Sequence, residues 1–163
     1  MAKDNPKTYE PIAASTLNNL AVLYKQTQRL TEAEETYKQT MEIYQRLMKD
    51  NPKANEPHVA RTLNNLAGLY HDTQRFTEAE ETYKQALEIR QRLAKDNPKA
   101  YEPYVAMTMN NMANLYFDTQ RLTEAEKMFK QALEIFQRLA KDNPKAFQED
   151  IENIERILQE IKK

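Results

Sequence analysis

Residues Thr62–Tyr70 read Thr-Leu-Asn-Asn-Leu-Ala-Gly-Leu-Tyr. The wording returns at Thr16–Tyr24 (TLNNLAVLY) and at Thr108–Tyr116 (TMNNMANLY). Within the stretch, Leu63, Leu66, Ala67 and Tyr70 fall at helical spacing, so one short helix face is written three times. Two adjacent asparagines sit beside that face in each copy. Helix interiors disfavour asparagine, because its side chain competes for the backbone. Six asparagines at matched places therefore need a reason other than helix formation.

The repetition extends outward from this stretch. Pro11, Pro57 and Pro103 stand 46 residues apart (57−11 and 103−57). Asn5-Pro6, Asn51-Pro52, Asn97-Pro98 and Asn143-Pro144 keep the same spacing. The pattern predicts one domain over residues 1–163, with units at 11–56, 57–102 and 103–142 and a closing helix over 144–163. Each unit reads as two helices. The first is expected to start at Pro11, where a missing N–H costs nothing, and to turn Ala13, Leu17, Leu20, Ala21 and Tyr24 inward. Thr27-Gln28-Arg29-Leu30 makes the turn.

The second helix is expected to open on a capping box at Thr31…Glu34, repeated at Thr77…Glu80 and Thr123…Glu126. It should bury Ala33, Tyr37, Met41 and Tyr44 or Leu47. Its outer face should carry the ion pairs Glu34/Lys38 and Glu42/Arg46. Asp50-Asn51-Pro52 then breaks the helix, and a short linker leads to the next proline. After Pro144 the chain changes. Phe147, Ile151, Ile154, Leu158 and Ile161 share one face of a helix that is otherwise polar. Such a helix suits the end of a stack, whose last repeat would otherwise expose its packing face.

Composition narrows the function. Charged residues make up 30% of the 163, yet the net charge is −1, so no basic surplus exists to neutralise phosphates. Nucleic acid and membrane surfaces are not expected partners. The N-terminus lacks the apolar core of a secretory signal, which makes the cytoplasm the default expectation. There is no cysteine, which excludes disulfides, thiolate metal sites and cysteine nucleophiles. His58 and His71 stand alone, the carboxylates are spread over repeated faces, and Gly68 by itself makes no phosphate loop. The expectation is a non-enzymatic protein with no catalytic residue, metal or cofactor. The chain opens on Lys3-Asp4-Asn5-Pro6-Lys7, which repeats the wording of an internal linker. An excised or engineered piece of a longer array is expected to open this way.

The spacing resembles the tetratricopeptide repeat. The matching residues are Leu17, Leu20, Ala21, Tyr24, Ala33 and Tyr37, then Leu63, Leu66, Ala67, Tyr70, Ala79 and Tyr83, then Met109, Met112, Ala113, Tyr116, Ala125 and Phe129. Leucine or methionine replaces the signature tryptophan, and alanine the signature glycine. Thr40 replaces the alanine found at Ala86 and Ala132, so looser packing is expected in the first unit. The long unit and the T-L-N-N-L-A wording are similar to the kinesin light chain branch.

This resemblance implies an all-α, right-handed α-solenoid whose first helices line a concave, peptide-binding face. Asn19, Asn65 and Asn111 are then the leading candidates for holding an extended peptide or protein segment. An amide offers both a donor and an acceptor to a peptide backbone. Asn18, Asn64 and Asn110 are placed either on that ligand or between helices. Lys25, Arg61, His71, Asn114 and Phe117 also lie off the packing stripe. Relatives that grip chaperone tails use a clamp of basic residues and asparagines. The matching places here hold Asn18, Val22, Asn65, Met107 and Asn111, of which only Asn65 fits, so that ligand is not expected. The alternative role is structural. Ile12, Leu20 and Tyr24 offer a packing face for end-to-end stacking or helix exchange, giving a homo-oligomer.

Overall fold

The computed structural model describes residues 6–162, with side chains from Tyr9 onward. Among the described residues there are seven α-helices and no strand. They are α1 (Pro6–Gln26), α2 (Leu30–Asp50), α3 (Pro52–Asp72), α4 (Phe76–Asp96), α5 (Pro98–Asp118), α6 (Leu122–Ala140) and α7 (Pro144–Ile161). No helix among the described residues is long and apolar enough to cross a membrane. Packing divides the chain into two compact units, Met1–Ile89 and Arg90–Lys163.

The first helix of each pair starts earlier than the sequence suggested. Asn51 and Asn97 are the N-caps, and their side-chain oxygens accept from the Ala54 and Ala100 N–H groups at 3.3 Å. Pro52 and Pro98 take the first helical turn. Pro11, Pro57 and Pro103 therefore lie inside their helices rather than at the starts, and no linker precedes them. Pro57 is tolerated because the carbonyl it leaves unbonded, that of Lys53, lies in an exposed first turn where water replaces the lost bond.

The capping boxes do not form. Thr31, Thr77 and Thr123 lie one residue inside their helices and are exposed. The caps of α2 and α6 are Arg29 and Arg121, with no side-chain capping bond. The turn is organised instead from the preceding helix. Gln28, Gln74 and Gln120 adopt left-handed backbone, with φ of 60°, 60° and 61°. Arg29, Arg75 and Arg121 then donate their N–H groups to Tyr24, Tyr70 and Tyr116 at 2.8 Å. Gln28, Gln74 and Gln120 donate to Lys25, His71 and Phe117 at 3.1, 2.9 and 3.0 Å. This is the double bond of a Schellman ending. Each turn arginine also lies over the tyrosine ring it bonds behind, at 4.3, 4.2 and 4.3 Å.

In the first unit the core contains Ala14, Ala21, Ala33, Tyr37, Tyr44, Leu47, Val59, Leu63, Leu66, Ala67, Tyr70 and Tyr83. Ala14 is inward and Ala13 is exposed, which moves the expected stripe by one residue. Leu17, Leu20 and Tyr24 are half-buried, whereas their equivalents Leu63, Leu66 and Tyr70 are buried. Met41 is half-buried against the core. Thr40 is fully buried, and its hydroxyl donates to the Thr36 carbonyl at 2.8 Å, so the substitution leaves no unmet group. Arg46 reaches Glu10 at 3.2 Å instead of the expected Glu42. The expected Glu34–Lys38 pair does form, at 2.7 Å. Such surface pairs contribute little stability.

In the second unit α5 packs on α6, and α6 on α7. Val105, Ala106, Met109, Met112, Leu115, Tyr116, Ala125, Phe129 and Phe136 form its core. Arg90 is buried at a position where the other repeats carry Tyr44 and Phe136. It donates to the Tyr104 carbonyl at 3.0 Å and to the Thr108 hydroxyl. Burial lowers its pKa to about 10, which leaves it charged at neutral pH. On α7, Ile154 and Leu158 are buried, while Phe147 meets Phe136 with ring centroids 5.7 Å apart.

Candidate functional site: the first-helix face

In the first unit, α1 and α3 meet side by side. Arg61 Nη2 lies 3.4 Å from Ser15 Oγ, the Thr62 hydroxyl 3.1 Å from Asn18 Oδ1, and Lys25 Nζ 2.9 Å from Asp72. The contacts advance along both helices in the same direction, so the two helices run parallel. Residues 46 apart then occupy the same height, and Asn19 and Asn65 become neighbours on one face.

The structure sorts the candidates within each unit. Asn18 is 2% exposed and its amide oxygen receives the Thr62 hydroxyl, so it is withdrawn from the ligand-accessible set. Asn19 is exposed and Asn65 is half-buried. Asn64 is half-buried and already takes part in an interaction of its own. Lys25 leans over Gly68. A Cβ built on that glycine would lie 3.2 Å from Lys25 Nζ and 3.4 Å from the Tyr83 hydroxyl, so the absence of a side chain makes room for the lysine. His71 meets the Phe76 ring edge-on at 6.0 Å. In the second unit, Asn110, Asn111, Asn114 and Phe117 are half-buried along α5, and Asn111 has an interaction of its own. Tyr104 and Met107 on the same helix are 47% and 45% exposed.

One cluster goes beyond the sequence reading. His58 stacks on Tyr44 with centroids 5.7 Å apart and planes 3° apart. The Arg61 charge acts on both groups. Partial burial, and then the Arg61 charge, hold the His58 imidazole below its ordinary pKa. Burial raises the Tyr44 hydroxyl, and Arg61 opposes that rise. Yet the Tyr44 hydroxyl and Arg61 Nε are both buried without a completed hydrogen bond. The sequence offered one hint. Arg61 stands where the other repeats have Ser15 and Met107.

An open groove is also present in the first unit. Lys38, Met41, Glu42 and Gln45 of α2, with Thr82 and Gln85 of α4, flank this groove of about 450 Å³. Its floor is Leu63, Leu66 and Tyr70 of α3.

Helix pairs repeated at a fixed 46-residue step, each closed by the same left-handed turn, define a helical-repeat protein. Family models of the tetratricopeptide repeat match residues 12–92 and 105–144. The chain belongs to the tetratricopeptide repeat family, and its fold is the all-α solenoid class of that family. Among solved structures it is similar to BtubC (BKLC) from P. vanneervenii, with 25% identity and a TM-score of 0.63. That likeness covers 94% of this chain and 64% of BtubC, so the chain spans under two thirds of that protein. The N-terminal domain of stress-induced protein-1 from C. elegans shares the fold at 18% identity and a TM-score of 0.64, over 94% of this chain and 98% of that one. So does the first repeat domain of Spaghetti (RPAP3), solved bound to the HSP90 peptide SRMEEVD, at 19% identity and a TM-score of 0.55, over 90% and 93%. No curated protein matches the sequence.

Proposed function

We propose that this chain is a binding module that holds an extended peptide or protein segment along its first-helix face, gripping the segment's backbone. The observation that carries this reading is the register of Asn19 and Asn65, which sit at one height on touching parallel helices, Asn19 exposed and Asn65 half-buried. Packed helices are separated by about 8–10 Å, and an extended chain advances about 3.3 Å per residue. One amide could therefore bond every third residue or so. Asn111 holds the same place in the sequence of the third repeat. A relative of the same fold is known bound to a peptide. Its chaperone-tail ligand is not the one proposed here, because Val22 and Met107 stand where the clamp needs polar or basic groups.

Alanine at Asn19, Asn65 and Asn111 together tests the reading. Captured segments should bind at least about tenfold more weakly, since each lost amide contact is worth about 0.5–1.5 kcal/mol. Helicity and melting temperature should hold. Unchanged binding would refute the reading.

A further inference from the structure

We propose that an open apolar stripe on α1 is the docking surface for a second copy of this chain, the two α1 helices crossing antiparallel about a two-fold axis at Thr16. Tyr9, Ile12, Thr16, Leu20 and Leu23 follow one another at steps of three, four, four and three residues, so they share one helix face. Tyr9, Ile12 and Leu23 are 44%, 63% and 52% exposed, and Leu20 is half-buried. Elsewhere among the described residues only Tyr104, Met107 and Leu122 are large, apolar and exposed, so the open apolar surface is concentrated here. The stripe carries no charge. Its central hydroxyl, that of Thr16, already donates to the Ile12 carbonyl at 2.9 Å.

The other repeats cover the same positions. Leu23 stands where α3 has Leu69 and α5 has Leu115, both 1% exposed, and Thr16 where they have Thr62 and Thr108, both 0% exposed. Asn55, the counterpart of Tyr9, donates to the Leu47 carbonyl at 3.3 Å, and Thr62 bonds Asn18. On α3 this stripe is therefore where α1 and α2 pack, and α1 keeps a helix-packing face open. Its occupant follows from charge and spacing. A head-to-tail stack would lay it on α7, whose exposed Glu149, Glu152, Glu155 and Arg156 would lose water against apolar side chains. The stripe's own spacing, by contrast, reads the same in both directions. Turned end for end about Thr16, Tyr9 of one copy meets Leu23 of the other, and Ile12 meets Leu20. The small threonine at the crossing lets the axes approach to about 8 Å, and the same patch on both copies closes the assembly at two. A contact about 21 Å long lies at the small end of specific interfaces, so the dimer is reversible.

Equilibrium sedimentation over about a hundredfold range of concentration, up to about 0.5 mM, tests the dimer. Wild type should pass from monomer to dimer and stop there. L23E, with wild-type helicity, should dissociate at least about tenfold more readily, because it removes an apolar contact and places a charge in the seam from both copies. The chain has no cysteine, so T16C puts a single thiol at the proposed axis. Two thiols join only where their Cα atoms come within about 7 Å. Air oxidation should therefore link T16C into a dimer much faster than Q39C, whose position on α2 is exposed and off the stripe. This readout stands even if L23E disturbs the fold. A wild type that stays monomeric, assembly that continues past two copies, association unchanged in a folded L23E, or T16C linking no faster than Q39C overturns the proposal.

Discussion

Gln74 holds its backbone at a φ of 60°, a conformation costly for any residue with a Cβ. Gln28 and Gln120 do the same, so the chain meets this cost three times with a residue that gains no side-chain cap. Glycine is the usual occupant of the position. Gln74→Gly should therefore raise unfolding stability by about 0.5–1 kcal/mol, after the added entropy of glycine in the unfolded chain is subtracted. Urea denaturation would show it, and a loss of stability would mean that the Gln74 side chain has a role the turn geometry does not reveal. At this scale the sequence was least legible. Thr-Gln-Arg announced a turn, but its left-handed residue was hidden because the chain does not use glycine there. Arg61 was legible only as polar and off the stripe. Its distinguishing features, the Tyr44 hydroxyl its charge acts on and the Ser15 hydroxyl within 3.4 Å, come from two other helices and have no trace in local spacing.

The helices themselves illustrate how competing signals resolve. Each first helix offered two prolines five residues apart, and either could occupy a first turn. The structure starts at the earlier one, because Asn51 and Asn97 supply N-cap oxygens to Ala54 and Ala100, which Glu56 and Glu102 ahead of the later prolines do not. Asn97→Ala should cost about 1 kcal/mol through loss of that bond, read as a lower denaturation midpoint with an unchanged slope. No change would show that water replaces the cap without penalty. The apparent capping box at Thr31 failed for a related reason. The Schellman turn delivers the chain into α2 at Leu30, one residue too early for Thr31 to cap, and Glu34 is drawn to Lys38 and Arg75 instead. By contrast the packing faces were readable from period alone. Ala33, Tyr37, Ala79, Tyr83, Ala125 and Phe129 are all buried as the repeat required. The shift from Ala13 to Ala14 follows the face that packs, since Ala14, Asn18 and Ala21 lie four and seven residues apart and are all buried, while Ala13 is exposed.

For the molecule as a whole, repetition carries both the fold and the functional reading, with different force. Three registered copies of one packing face carry the family pattern, and Ala21, Ala67 and Ala113 are buried alike. The asparagines beside that face divide into two kinds. Asn18 is consumed by Thr62, which gives one member of the pair a structural reason to exist. One residue further round, Asn19 is exposed and Asn65 half-buried, and the proposed grip on a backbone rests on them. The groove over Leu63, Leu66 and Tyr70 is the natural competitor, because it too could take an extended segment. The most direct test is to follow the side-chain amide resonances of the asparagines by NMR while a library-selected peptide is titrated in. The account expects the Asn19, Asn65 and Asn111 amides to shift with the binding curve while Asn18 and the groove residues Met41 and Thr82 stay still. Shifts confined to Met41, Thr82 and their neighbours, with those three amides unmoved, would contradict it.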